Sequence, residues 1–349
     1  MRPSLRALFS QLSAEGLVAA EDERRFREVL VTRVEQQTPW YLQLLMGAGA
    51  WIATGLFLLF LFVADLMDEE AVVGVVGLGM VGAALVLRLR RAAPMLVQLA
   101  LAASLVGQGM VVTASSALAR GDELPAVVAL CLSLVLIGVF PDPVHRFLST
   151  LASTTSVAFL AVEWDQRLLA DGAFALLAVL TVAWWLRRPV LSGLEAQLTA
   201  PVGNGLVVSL LGAAVPLGIL RDEGPWVLGT LALAGMAVFV QLRLFGIPGR
   251  KLDRVVLGSL AATVLLAAVS HQVPGLLAAL LIMLIATQRR DPLLLGEAVF
   301  AFVFFLGWYY YSLDVTLLQK SAALVISGGV LLAAWRLLPR APVPSGSSS

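Results

Sequence analysis

The sequence predicts an all-α fold: a polytopic membrane bundle of about twelve transmembrane helices with both chain termini in the cytoplasm. Of the 349 residues, 59% are hydrophobic and only 13% are charged, whereas soluble domains have about 45–50% apolar and about 25% charged residues. The apolar residues form long stretches, and lysine and arginine collect at alternate connections between them. This composition excludes a disordered chain, a nucleic-acid-binding protein and an ordinary soluble enzyme.

The apolar stretches are continuous rather than alternating, which indicates helices and not the strands of a barrel. A helix needs about 20 mostly apolar residues to cross a bilayer. We identify twelve such segments: 44–64, 71–87, 95–119, 125–140, 147–162, 168–186, 202–220, 225–242, 255–270, 273–288, 292–311 and 320–338.

The distribution of positive charge predicts the orientation of these segments. Of the 24 lysines and arginines, 20 lie in the N-terminal segment, the even-numbered connections and the C-terminal end. Loops rich in lysine and arginine stay on the cytoplasmic side of a membrane. We therefore expect an inner-membrane protein with an even number of spans and both termini in the cytoplasm.

Three parts of the chain differ in composition. Residues 1–40 are predicted to form a cytosolic amphipathic helical hairpin, with helices over 4–15 and 21–37. The hairpin could lie against the membrane or the bundle, or serve as a protein-binding or gating arm. No cleavable secretory signal precedes the first span, which must act as its own insertion signal. Residues 41–340 form the helix bundle, and the tail 341–349 is predicted to be disordered.

Several patterns recur at a period near 100 residues. Arg-Arg pairs at 90–91, 187–188 and 289–290 are each followed, seven residues after the second arginine, by the long polar residue Gln98, Glu195 or Glu297. In addition, the pattern Gly-polar-Gly with Gln108 at its centre matches a second one centred on Asn204. Four helices per unit would give parallel repeats related by an axis along the membrane normal. Alternatively, topology alone places arginine pairs at cytoplasmic turns.

Five polar residues within the spans are candidates for an intramembrane polar site. Asp171 and Glu297 are ionisable, and ionisable residues inside a membrane are costly and often functional. Gln98, Gln108 and Asn204 could line a path through the third and seventh spans, with Glu297 in the eleventh. Each also has a structural interpretation: an acid near the start of a helix, or an amide that bonds a neighbouring helix. The glycines beside Gln108 and Asn204 could allow close packing or a helix break.

Motifs of soluble enzymes are absent, and the chain is not expected to be an enzyme. His145 and His271 both fall in short predicted connections, and Cys131 is the single cysteine. No cluster of histidine and cysteine is available for a metal, and no cofactor is predicted.

Two segments carry a resemblance to a known family. The first leads from Pro39 to Trp51, and the second runs from Trp308 to Ser321 and is followed by two glycines at 328–329. Together with the N-terminal arm they resemble the bacterial inner-membrane proteins grouped as domain of unknown function 4401, related to family 2157. The resemblance implies a polytopic membrane protein without an assigned activity. It also implies a small membrane-anchored partner protein named for the motif G-D-Y-x-x-L-x-Y.

The second of these segments has its own physical interpretation. Asp314 and Lys320 bracket a short turn on the outer side, which could hold an ion pair, dock an external partner or simply anchor the bundle. Two functions therefore stay open, and the number of spans and the possible parallel repeats favour the first of them over the alternative. The chain could be a transporter of a small solute or ion, with Glu297 as its coupling group, or a membrane scaffold that binds a partner through its N-terminal arm or outer turn.

Overall fold

The computed structural model describes residues 40–65, 68–90, 93–119, 123–164, 167–187, 193–219, 227–245, 254–269 and 274–312. These residues form helices and no strands, which confirms the all-α fold. The eleven helices are α1 (Trp40–Val63), α2 (Glu70–Leu89), α3 (Pro94–Leu118), α4 (Glu123–Val139), α5 (Pro143–Glu163), α6 (Arg167–Leu186), α7 (Gly193–Ile219), α8 (Val227–Leu244), α9 (Arg254–Val269), α10 (Pro274–Arg289) and α11 (Pro292–Ser312).

These helices coincide with the first eleven predicted segments. Seven of them (α1, α2, α3, α6, α7, α8 and α11) are long and apolar enough to cross a membrane, as the composition predicts. Helices α4, α9 and α10 are apolar but shorter, and α5, which coincides with the predicted segment 147–162, belongs to neither group. The twelfth predicted segment at 320–338, the N-terminal hairpin and the tail lie outside the described residues.

Two helix starts show how local sequence sets the boundaries. Asp142 precedes Pro143, and its Oδ1 atom accepts hydrogen bonds from the backbone N–H groups of residues 144 and 145 at 2.9 and 3.0 Å. Asp291 precedes Pro292 and accepts from residues 293 and 294 in the same way. The first N–H groups of a helix have no intrahelical partner, so an aspartate followed by proline is a favoured start.

The described helices belong to two compact units, the first ending at Leu118 and the second starting at Ala119. In the first unit, α3 packs against both α1 and α2. Gly77 of α2 and Gly107 of α3 face each other so closely that a Cβ atom on Gly107 would lie 2.6 Å from the carbonyl oxygen of Gly77. The absence of a side chain at both positions lets the two backbones touch.

The second unit is organised around α10. This helix packs against α6, α7, α8, α9 and α11. Residues 276–279 are consecutive, so their side chains point to different sides of the helix, and each is at most 2% exposed. A helix that is apolar all round belongs in an interior, and α10 is accordingly the centre of this unit.

Candidate functional site

Asp171 lies near the start of α6 and is only 6% exposed. Its two carboxylate oxygens accept hydrogen bonds from the backbone N–H groups of Leu228 and Gly229, at 2.7 and 2.6 Å. These N–H groups belong to the first turn of α8, where helices lack internal partners and carry partial positive charge. Asp171 therefore caps a neighbouring helix. The sequence offered another interpretation of Asp171, in which the dipole of its own helix favours an acid near the helix start. In the structure its carboxylate instead bonds a backbone N–H group 57 residues further along the chain.

Glu297 lies on α11, six residues beyond Asp291, and is partly buried. Its Oε2 atom is buried and has no hydrogen-bond partner among the described residues. An acidic oxygen enclosed without a partner is unusual, since buried polar atoms are normally hydrogen-bonded. Of the five candidates named from the sequence, Glu297 is the one whose carboxylate keeps an unsatisfied buried atom in the described part of the chain.

Gln98 and Gln108 both lie on α3, in the first unit. The Nε2 atom of Gln108 donates to the backbone carbonyl of Ser104, one turn earlier, at 3.2 Å. Gln98 is partly buried, and its Oε1 atom approaches Gly47 of α1. The other two members of the predicted path, Asn204 and Glu297, belong to the second unit.

Asn204 lies on α7 between two glycines that each contact a different helix. A Cβ atom on Gly203 would lie 2.9 Å from the ring of Trp185 on α6, and one on Gly205 would lie 2.7 Å from Thr150 on α5. These two glycines therefore allow close packing, and the helix runs unbroken through them. In the matching pattern on α3, Gly107 has the same role against α2, whereas Gly109 has open space.

The first turn of α5 contains a buried polar cluster that corrects one prediction. His145 is fully buried and Arg146 is 2% exposed, although the sequence placed both in a short connection. The Nδ1 atom of His145 lies 3.1 Å from the hydroxyl of Ser149, and its ring stacks on Phe140. The Nε atom of Arg146 donates to the carbonyl of Ile137 at the end of α4. The signal for a helix start was present in the Asp-Pro pair at 142–143, but the signal for burial was not.

Burial also affects the acid–base behaviour of His145, which precedes the predicted span at 147–162. Loss of contact with water lowers the pKa of His145 from 6.5 to about 4. The neighbouring Asp142 opposes this shift, and the positive charge of Arg146 adds to it. His145 is therefore neutral at physiological pH and is suited to hydrogen bonding within the core rather than to proton transfer near neutrality.

A row of hydroxyl groups continues from this cluster along α5. Ser149, Thr150, Ser153 and Ser156 are all buried. Thr150, Ser153 and Ser156 donate to backbone carbonyls one turn earlier, at 2.7–2.8 Å. Thr154 bonds across to Ser209 of α7 at 2.6 Å. The Thr154–Ser209 bond links α5 to α7, whereas the other three hydroxyls bond their own helix, as serine and threonine in a buried helix commonly do.

Arginines join the C-terminal ends of α6 and α10. Arg289 donates from Nε to the carbonyl of Trp185 at 2.6 Å and from Nη2 to the carbonyl of Arg187 at 3.0 Å. Arg187 lies over the ring of Trp184 at 3.5 Å and donates to the hydroxyl of Thr199 at 2.9 Å. The last carbonyls of a helix lack partners and attract cations. Arg187 and Arg289, one member from each of two predicted arginine pairs, thus meet at one end of the second unit.

The remaining sequence-based candidates fall outside the described residues. Asp314 and Lys320 lie outside the described residues, as does the cytosolic arm. The side chain of Glu195 also lies outside the described part of α7. In the described ranges, no three histidine, cysteine, aspartate or glutamate side chains come together as metal ligands.

Comparison with known proteins gives one match. No curated protein matches the chain significantly. No solved structure does so either. A family model described as "Domain of unknown function (DUF4401)" matches residues 39–341, which covers most of the chain. The resemblance to domain of unknown function 4401 is therefore confirmed, and this helical membrane protein belongs to that family.

Proposed function

We propose that this protein is a scaffold of a bacterial inner membrane, which holds a partner protein and is neither an enzyme nor a carrier. The observation that supports this proposal is the position of α10. Residues 276–279 of this helix are at most 2% exposed, and all four are apolar. Carriers commonly place a polar substrate site near the middle of the bilayer, between their repeats. Here an apolar helix enclosed by protein occupies the centre of the second unit.

The polar side chains around this centre also have structural partners. Asp171 caps α8, Thr154 bonds Ser209, and Gln241 of α8 donates to Thr263 of α9 at 2.7 Å. Hydrogen bonds of this kind hold membrane helices together. A substrate site needs polar groups that are available for a ligand, and the groups in these three contacts already serve the fold. Among the described residues, the buried oxygens that keep no partner are Thr230 Oγ1, Gln241 Oε1, Gln288 Oε1 and Glu297 Oε2.

The arrangement in the membrane follows from the charge distribution. We place both termini in the cytoplasm, because 20 of the 24 lysines and arginines fall on that side of a twelve-span topology. The partner in this proposal is a small membrane-anchored protein carrying the motif G-D-Y-x-x-L-x-Y, which the family resemblance implies. It would bind the cytosolic arm at 1–38 or the outer turn between Asp314 and Lys320.

Co-expression with that partner tests the scaffold proposal. The full chain should retain the tagged partner through purification in mild detergent. A chain lacking residues 1–38, or a D314N/K320Q double variant, should lose it while still inserting into the membrane. E297Q is the matched control and should retain the partner as well as the parent chain does. Equal retention by the truncated chain and the outer-turn variant would contradict both docking sites.

Transport of a proton or small cation is a second candidate, and the observation favouring it is the enclosed Oε2 atom of Glu297. A carboxylate that has one buried oxygen without a partner, within a span, could take up and release a proton. The measurement is proton flux into liposomes containing the purified chain, followed with an internal pH-sensitive dye. If the protein transports protons, the parent chain should show proton flux and E297Q should lose it. E163Q, which changes an exposed acid, should keep the flux of the parent chain. Absence of flux in the parent chain supports scaffolding instead.

A further inference from the structure

A groove of about 360 Å³ lies between α6 and α8 on the second unit. Its walls are apolar, and two arginines complete the lining. The lining residues are Val179, Val182, Ala183, Leu186 and Arg187 of α6, with Met236, Phe239 and Arg243 of α8. These helices run in the same direction, because Asp171 near the start of α6 binds the first turn of α8. Arg187 and Arg243, both at C-terminal ends, therefore lie at the same end of the groove.

The two guanidinium groups are oriented by aromatic rings. Arg187 lies 3.5 Å above Trp184, and one of its N–H groups donates to Thr199. Arg243 lies 5.3 Å from the centre of the Phe239 ring and is exposed. A guanidinium has five N–H donors in a planar fork that suits a phosphate. Each fork therefore lies against an aromatic ring at the end of the groove.

The surroundings of this end are positive as well. Arg289 donates to the carbonyls of Trp185 and Arg187, so a third positive charge covers the C-terminal end of α6. No carboxylate lines the groove among the described residues. The site thus presents positive charge beside apolar walls that extend from Arg187 back to Val179, which is roughly 12 Å along a helix.

We propose that this groove binds one anionic phospholipid, with its phosphodiester on Arg187 and Arg243 and an acyl chain along the wall formed by Val179, Met236 and Phe239. Charge complementarity selects this occupant. Basic pockets between membrane helices attract anionic headgroups, and the continuous apolar wall accepts a hydrocarbon chain that a free anion lacks. On the topology proposed above, the phosphate lies in the cytoplasmic leaflet, where arginines collect.

The test uses the full-length protein in phosphatidylcholine nanodiscs containing a fraction of phosphatidylglycerol. Native mass spectrometry of the released protein then measures the ratio of retained phosphatidylglycerol to phosphatidylcholine. We expect the parent chain to retain phosphatidylglycerol preferentially. R243Q should reduce this preference about tenfold, since it removes a charged hydrogen-bond donor, and R243K should restore part of it. R90Q, which removes an exposed arginine of the first unit, is the matched control and should leave the preference unchanged.

A second variant separates lipid binding from binding of a free anion. V179W fills the apolar wall and keeps both arginines, so it should also abolish the preference for phosphatidylglycerol. Inorganic phosphate is added in excess as a competitor and should displace little of the lipid. The proposal is overturned if the parent chain retains both lipids equally, or if R243Q and V179W retain phosphatidylglycerol like the parent. Full displacement by phosphate, with V179W unaffected, would indicate a free-anion site and would also overturn it.

Discussion

The carboxylate of Asp171 on α6 binds the backbone N–H of Gly229 at the start of α8, at 2.6 Å. A Cβ atom on Gly229 would lie 3.0 Å from this same carboxylate oxygen, so the missing side chain permits the approach. This contact defines the relative direction of α6 and α8 and, with it, the groove between them.

Replacing Asp171 with alanine should lower the free energy of unfolding by about 2–3 kcal/mol, because two N–H groups at a helix start lose a charged acceptor. D171N keeps one acceptor oxygen and should lose less. Unfolding by increasing amounts of denaturing detergent in mixed micelles measures the difference. E163A, an exposed acid at the end of α5, is the control. Equal stability of D171A and E163A would show that the cap is unimportant.

Replacement by alanine should cost much more stability at one glycine of α3 than at another. A Cβ atom on Gly107 would lie 2.6 Å from the backbone oxygen of Gly77, whereas one on Gly109 would meet nothing within 4 Å. G107A should therefore destabilise the first unit by about 1–3 kcal/mol, as overpacking does. G109A should stay within about 1 kcal/mol of the parent. Thermal unfolding of both variants in the same detergent measures the contrast, and comparable losses would contradict the close approach of α2 and α3.

The stability of the protein should depend on His145 below neutral pH. Burial lowers the pKa of His145 to about 4, against 6.5 in the unfolded chain. The unfolded chain therefore binds the proton more readily, and the contribution of His145 is complete above about pH 6.5 and is lost as the pH falls towards 4. The loss amounts to at most about 3 kcal/mol.

The difference in unfolding free energy between the parent and H145Q, measured from pH 7 to pH 4, isolates this histidine from the acids that also titrate there. The parent should lose its advantage over H145Q as the pH falls. A difference that stays constant over this range would mean that His145 has the same pKa in the folded and the unfolded chain, which would contradict the prediction.

Arg289 should not tolerate lysine. Its planar guanidinium reaches the carbonyls of Trp185 and Arg187 together, and a lysine ammonium lacks that fork. R289K should destabilise the second unit by about 1–3 kcal/mol. The exposed neighbour Arg290 provides the control, since R290K should leave the unfolding transition where it is. Coincident transitions of the two variants would argue against the link between α6 and α10.

Much of the fold was predictable because its causes are local. The length of an apolar stretch determines whether it can form a membrane helix, and eleven of the twelve predicted segments coincide with described helices. The predicted segment 292–311 starts where α11 starts, and the cause is local, since Asp291 accepts hydrogen bonds from N–H groups two and three residues away. The choice between a close-packed glycine and a helix break at Gly203 was left open, and the structure resolves it in favour of packing.

The contacts of the polar residues were decided only by tertiary structure. The sequence by itself determined that Asp171 and Glu297 lie in apolar helices and that arginines gather at alternate connections. Which N–H groups meet Asp171, which carbonyls meet Arg289 and how far His145 is enclosed depend on helices brought together from distant parts of the chain; Arg289 and Trp185 are 104 residues apart. Hydropathy reports the tendency of a segment to enter lipid, but it carries no information about the neighbour that each helix face will meet.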